Sequence, residues 1–196
     1  MAKLIYVTNV SLDFYIEDEH GSFNWSAAGD DFFAFITDLM RPVGTHLYGR
    51  RLYETMAVWE TDPALGAQSE LASDFAAVWQ AADKVVYSTT LDDVSTAKTR
   101  LEHSFDPDSV RDMKASTTSD LFIGGAQLAA QALEADLVDE CHLFVRPILL
   151  GRGKPALPGG SRVDLELLED RRLSRGVVHL RYRIPNSTER QASSVR

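Results

Sequence analysis

The chain has 196 residues, enough for one domain with a sizeable core, and its 44 % apolar and 25 % charged composition is that of an ordinary globular protein. With 20 basic against 29 acidic side chains the net charge is −9, which argues against non-specific binding to nucleic acid or to an anionic membrane. The one cysteine, Cys141, excludes an internal disulfide and any Cys-x-x-Cys metal site, and no apolar run approaches the ~20 residues a membrane helix needs. The stretch from Met1 to Val7 has only a short apolar run and no small-residue cleavage site, so no secretory signal is read and a cytoplasmic protein is expected.

Residues 3–10 read as a buried strand, with Leu4, Ile5, Tyr6, Val7 and Val10 apolar. Residues 11–25 form a polar, turn-rich stretch with spaced aromatics, read as a long loop lying over a ligand or the body of the protein. Gly29-Asp30-Asp31 opens a helix whose apolar face is Phe32, Phe35, Ile36 and Leu39; either aspartate can cap it, and Pro42 and Gly44 end it. A short strand at 45–48 turns through Gly49-Arg50-Arg51 into a second helix, 52–58, followed by a loop through Pro63 and Gly66. Residues 70–82 are helical, with Leu71, Phe75, Val78 and Trp79 on one side, and 84–88 is the next strand. The segment 92–101 is ambiguous, with a short strand expected near 98–101, and Asp106-Pro107 starts a charged helix over 108–115. The strand at Leu121 then runs through Gly124-Gly125 into a helix from Ala126 to about Leu133, and residues 139–145 are another strand. Residues 147–160 are a glycine- and proline-rich loop, 163–168 and 176–184 a closing antiparallel hairpin, and 186–196 a polar, disordered tail. Strands and helices alternate and then strands follow alone, which predicts an α/β fold with a mostly parallel sheet, an antiparallel edge, and one domain over 1–185.

Three strand ends carry unusual residues: Gly49-Arg50-Arg51, Ser88-Thr89, and Ile123-Gly124-Gly125-Ala126-Gln127. In an open parallel sheet ligands lie beyond the carboxyl ends of the strands. Glycine lets a ligand approach the backbone, helix N–H groups point at it, and arginines and hydroxyls add donors, so together the three ends suit a dinucleotide with several phosphates. Singly, each has a plainer reading: a tight turn at the glycine pair, or a solvated helix start with Arg50 or Arg51 paired to Glu54. Asp31 is the candidate acid, with Asp30 its rival, although a carboxylate there is also a natural partner for the helix dipole. The five histidines show no metal-ligand spacing and no metal is expected; Cys141 reads as a buried thiol. Gly151-Arg152-Gly153-Lys154-Pro155 reads as a surface turn in preference to a basic phosphate loop.

Ser11-Leu12-Asp13 with Tyr15-Ile16, Trp25, Gly49-Arg50-Arg51-Leu52-Tyr53-Glu54, Ile123-Gly124-Gly125-Ala126-Gln127, Leu137-Val138-Asp139-Glu140 and Pro147-Ile148-Leu149-Leu150-Gly151-Arg152-Gly153 occur in an order that resembles the dihydrofolate reductase-like superfamily. The chain is most similar to its bacterial branch, the C-terminal reductase domain of the bifunctional riboflavin biosynthesis protein, over residues 3–184. The resemblance implies a three-layer fold around an eight-stranded sheet, and NADPH as cofactor. Gly49, Arg50 and Arg51 would hold the pyrophosphate and adenosine phosphate, Ser88 and Thr89 the 2′-phosphate end, and Gly124 to Gln127 the phosphate cradle, with Ile123 also counted among the cofactor-binding residues. Asn9 and Ile16 would touch the nicotinamide, and Asp31 falls on the pterin-binding acid. In dihydrofolate reductases the glycine pair carries a cis peptide. There are departures: Leu52 stands where threonine is usual, Phe14 where this branch often has glycine, and Glu17 replaces a loop glycine of the true dihydrofolate reductases. The zinc deaminase signature of the bifunctional protein is absent from the chain.

The implied activity is hydride transfer from NADPH to a small heterocyclic substrate, as in 5-amino-6-(5-phosphoribosylamino)uracil reductase, with dihydrofolate reductase as the alternative. A non-catalytic nucleotide-binding module is the alternative of another class. A homodimer is expected by the same resemblance.

Overall fold

The segment Leu4-Ile5-Tyr6-Val7 is apolar on both of its alternating faces, and such a strand must be covered on both sides. The computed structural model, which describes residues 2–26, 29–157, 159 and 162–187, places it at the centre of a sheet. In chain order the elements are β1 (Leu4–Val10), β2 (Tyr15–Glu17), α1 (Asp30–Met40), β3 (Val43–Gly49), α2 (Arg50–Met56), α3 (Val58–Thr61), α4 (Pro63–Gly66), α5 (Glu70–Ala81) and β4 (Asp83–Tyr87). They continue as β5 (Thr99–Glu102), α6 (Pro107–Ser116), β6 (Asp120–Gly124), α7 (Ala126–Glu134), β7 (Glu140–Val145), β8 (Lys154–Pro155), β9 (Glu166–Arg172) and β10 (Val178–Arg183).

Eight strands form one sheet in the order β5-β4-β3-β6-β1-β7-β10-β9. The first six are parallel, and β10 and β9 close the edge antiparallel. Alternation along β1 sends Leu4, Tyr6 and Val10 to one face, where they pack with Leu121, Ile123 and with Leu128, Ala129 and Ala132 of α7. Ile5 and Val7 go to the other face with Tyr48, Phe122 and Phe144, under Phe32 and Met40 of α1 and Phe75 and Trp79 of α5. The result is the expected three-layer α/β fold. Leu4, Leu47, Leu121 and Ile123 have no exposed surface, and burying each such side chain contributes about 1.5–3 kcal/mol.

The chain departs from the sequence reading in detail. The 11–25 loop contains β2, which pairs with β8, and the 63–66 loop is a helical turn capped by Asp62, whose side chain accepts from the Ala64 N–H. The N-cap of α1 is Gly29, with no side-chain cap hydrogen bond. The first strand of the closing hairpin, β9, sits three to four residues later than its alternation suggests, because it is an edge strand with almost every residue exposed and its charged end obeys no core pattern, whereas β10 falls within the expected 176–184. Met1 and the tail from residue 188 onward lie outside the described residues. No helix among the described residues is long and apolar enough to cross a membrane.

Candidate active site

Because β4, β3, β6 and β1 are parallel neighbours, the turns that follow them emerge at one edge of the sheet. There they surround a cavity of about 1240 Å³. Asn9, Ile16, Gly49, Arg50, Arg51, Ser88, Thr89, Gly125, Ala126 and Gln127 all line it. Ile123 and Gly124 do not; both are buried behind the rim. Asp31 and Asp30 also lie outside the lining.

The three rim glycines are glycine for different reasons. A Cβ on Gly124 would strike Leu52 Cδ2 and would come within 2.6 Å of Phe122 Cζ, so that position is closed by packing. Gly125 has φ +96°, which side chains rarely adopt, yet a Cβ there would have only the Gly49 nitrogen within 4 Å, at 3.9 Å. Gly49 has an ordinary backbone, φ −75° and ψ 156°, and a Cβ there would meet nothing within 4 Å. Neither conformation nor packing requires glycine at 49. All described peptide bonds are trans, so the Gly124–Gly125 bond differs from the cis form found in dihydrofolate reductases.

Cations gather at this rim. Arg50 lies 3.8 Å from Glu54, one turn on in α2. Arg51 pairs with Glu17 at 3.1 Å, and Lys154 approaches the same carboxylate at 3.9 Å and donates to Gln127 Oε1 at 3.4 Å. Lys154 also lines the cavity, so the basic turn at 151–155 brings one of its two cations to the site and is more than a surface turn. Its place is set by β2–β8 pairing and by Asp13, whose carboxylate accepts from the N–H groups of Leu150 and Gly151 at 3.1 and 2.7 Å. The Ser11 hydroxyl and those two N–H groups hold the Asp13 carboxyl down to about 2. Ser88 Oγ accepts from the N–H groups of Thr90 and Leu91, both at 3.1 Å, and so shapes the turn that carries Thr89.

Sequence reasoning missed Arg146. The residue is 3 % exposed; its guanidinium lies 4.5 Å from the centre of the Phe32 ring and donates from two nitrogens to Asn9 Oδ1 at 3.0 and 2.7 Å. Arginine only donates, so the Asn9 amide is fixed with its oxygen toward Arg146 and its NH₂ turned away. A charged residue directly after an apolar strand was the available signal.

The Asp31 carboxylate is engaged elsewhere. It accepts from the Ser174 N–H at 2.6 Å, from the Ser174 hydroxyl, and from the Phe32 N–H at 2.8 Å. The Ser174 hydroxyl, and then its N–H, hold the carboxyl below the usual carboxylate range. The residue ties α1 to the turn between β9 and β10, away from the cavity lining.

Away from the rim the cavity runs between the sheet and α1, α3 and α5. Phe33, Trp59 and Phe75 form a cluster with ring centres 4.8–5.6 Å apart, and Val78, Trp79, Tyr48, His46 and Phe122 continue the wall.

Comparison with known proteins bears on the fold and the family. The uncharacterized protein YyaP of Bacillus subtilis is 26 % identical over 182 residues, 92 % of this chain and 94 % of that one. A crystal structure from Shewanella sp. PV-4, provisionally assigned to riboflavin biosynthesis, matches with a TM-score of 0.73 at 23 % identity over 95 % of this chain and 100 % of that one. The Thermotoga maritima diaminohydroxyphosphoribosylaminopyrimidine deaminase/5-amino-6-(5-phosphoribosylamino)uracil reductase matches with a TM-score of 0.60 at 15 % identity, over 94 % of this chain and 57 % of that one. At such identities the solved structures establish the shared fold. The family model of the RibD C-terminal domain matches residues 2–179, and the chain belongs to that family.

Proposed function

We propose that the protein is an NADPH-dependent reductase that passes hydride to a small heterocycle, similar to the uracil reductase of riboflavin biosynthesis. The observation that carries this reading is the open approach at Gly49 and Gly125, with the N-terminus of α7 beside it and Arg50, Arg51 and Lys154 around it. Such a place suits a pyrophosphate: backbone N–H groups bind oxygens that no side chain obstructs, and the cations balance the charge. When bound, NADPH supplies a hydride to the electrophilic carbon of a C=N or C=O bond, and solvent supplies the proton to the heteroatom. The chain's own part is to position and to exclude water. The Asn9 NH₂ and Ile16 border the nicotinamide end, and the aromatic wall behind them keeps the reacting atoms dry.

Folate reduction needs a carboxylate gripping the substrate, and Asp31 is engaged by Ser174, which favours the other reading. Asp31→Asn is expected to leave NADPH affinity and turnover within about twofold. A hundredfold loss of kcat with NADPH binding intact would return the acid role to Asp31. The cytoplasm and a homodimer belong to the same proposal; the edge strand β9, with Leu167 and Leu168 exposed, offers a surface for a second copy.

The deciding experiment is a titration with NADPH followed by the fluorescence of Trp59 and Trp79, both of which line the cavity. Saturation well below ~1 mM is expected, and no binding at that concentration refutes the proposal. Binding without NADPH oxidation across a panel of heterocycles would favour a non-catalytic module.

A further inference from the structure

On the aromatic wall of the cavity sits a hydrogen-bond donor with nothing to donate to. His46 is 1 % exposed and lines the cavity, and its Nε2 has no hydrogen-bond partner among the described residues. Its tautomer follows from its neighbours. Trp79 Nε1–H, which can only donate, reaches the Tyr48 hydroxyl oxygen at 2.9 Å. Tyr48 must send its own hydrogen elsewhere, and the acceptor in place is His46 Nδ1 at 3.0 Å. With Nδ1 accepting, the neutral ring carries its proton on Nε2. Burial first, and then the charge of Lys84, push the imidazole down to about 3, so the ring is neutral in ordinary buffers.

The surroundings say what could accept that proton. Phe122 meets the His46 ring edge-on at 5.4 Å, and Phe75, Val78 and Trp79 complete the same apolar wall. A buried donor left unpaired is costly. The cation on the neighbouring strand, Lys84, is His46's cross-strand partner, but its ammonium donates to the carbonyls of Ala82 and Trp79 at 2.9 and 3.3 Å. Its hydrogen bonds are thus committed to the backbone, and a group entering beside His46 meets the apolar wall of Phe75, Val78, Trp79 and Phe122, where a charge is costly to bury. The cavity volume of about 1240 Å³ exceeds the ~300–1,000 Å³ usual for one ligand, which leaves room for a ring beside a dinucleotide.

We propose that this chamber is a subsite for a flat, uncharged ring with a carbonyl-type acceptor at its leading end, and that His46 Nε2–H reads that acceptor. The identification of this ring as the hydride acceptor rests on the reductase reading. His46 acts on specificity: it selects which end of the substrate enters.

The test uses the protein labelled with ¹⁵N-histidine and two probes of one skeleton, 1-indanone and indane, which differ by the carbonyl. His46 is expected to show a protonated Nε2 and an unprotonated Nδ1. 1-Indanone should shift the Nε2 resonance and bind at least tenfold more tightly than indane, and His46→Phe should erase that preference. A proton on Nδ1, equal binding of the two probes to the unaltered protein, or a ketone preference that survives His46→Phe each overturns the proposal. The comparison in the unaltered protein needs no variant and decides the question even if His46→Phe fails to fold. NADPH affinity is measured on the same samples. Ketone preference without NADPH binding supports the subsite and sinks the reductase reading, whereas NADPH binding without ketone preference sinks the subsite alone.

Discussion

Substituting alanine at the three rim glycines, one at a time, separates ligand approach from folding. At Gly49 the backbone is already in a region alanine adopts, and the new methyl meets nothing within 4 Å. Restricting the unfolded chain gains about 0.4–1 kcal/mol. Gly49 is also the N-cap of α2, where alanine is poorer than glycine by roughly 0.5–1 kcal/mol. The two terms nearly cancel, so Tm should move by no more than about 2–4 °C. The methyl would nevertheless stand where an anion must come to reach the backbone, and NADPH affinity should fall at least tenfold, about 1.4 kcal/mol. Gly124→Ala is the opposite case: its methyl collides with Leu52 and with the tip of the Phe122 ring, and such overpacking costs about 1–3 kcal/mol. Gly125→Ala has space but is forced into a backbone at φ +96°, strain of about 1–3 kcal/mol. Thermal unfolding with a fluorescence titration of NADPH reads both quantities. If Gly49→Ala bound NADPH as tightly as the unaltered protein, or melted as early as Gly124→Ala, the reasoning from open space to a phosphate site would fail.

Two further outcomes are expected. Glu17, with its side chain 14 % exposed, offsets the charge of Arg51 and Lys154; Glu17→Gln should tighten NADPH binding by about two- to fivefold and steepen its salt dependence, as measured by titration at several ionic strengths. Burial raises the Glu140 carboxyl, but hydrogen bonds and charge from Arg181 and Lys3 outweigh it and hold the group down to about 2. A depressed carboxyl stabilises the fold above its unfolded value near 4.5 and loses that contribution as the pH falls toward about 2. Discounted for solvent screening this is about 1–2 kcal/mol, so urea midpoints should fall over that window, and Glu140→Gln should flatten the fall. A variant whose midpoints fall as steeply as those of the unaltered protein would remove Glu140 from the account.

The fold was legible in the sequence wherever periodicity was strong: β1, α5 and the β6–α7 junction are each marked by apolar spacing bounded by turn residues. The rim was legible because glycine, arginine and hydroxyl residues directly after apolar strands are unusual. What escaped depends on distant parts of the chain. Asp31 reads the same from the sequence whether it faces a ligand or Ser174, 143 residues away. Arg146 matters because it holds Asn9, 137 residues away. The β2–β8 pair is too short, three residues against two, to leave a periodic trace. His46 was the nearest miss: its alternation with Tyr48 puts both on one face, but only Trp79 reveals which nitrogen carries the proton.

The pairing of β2 with β8, reinforced by Asp13 on Leu150 and Gly151 and by the Leu12 N–H on the Ile148 carbonyl at 2.8 Å, has a consequence for anyone grafting this domain. Gly153 is part of the seam, since a side chain there would run into the Glu17 carbonyl oxygen. Segments 11–17 and 147–155 therefore behave as one cassette. A chimera that imports either half alone inherits a mismatched register, so recombination between relatives should succeed when both halves travel from the same parent.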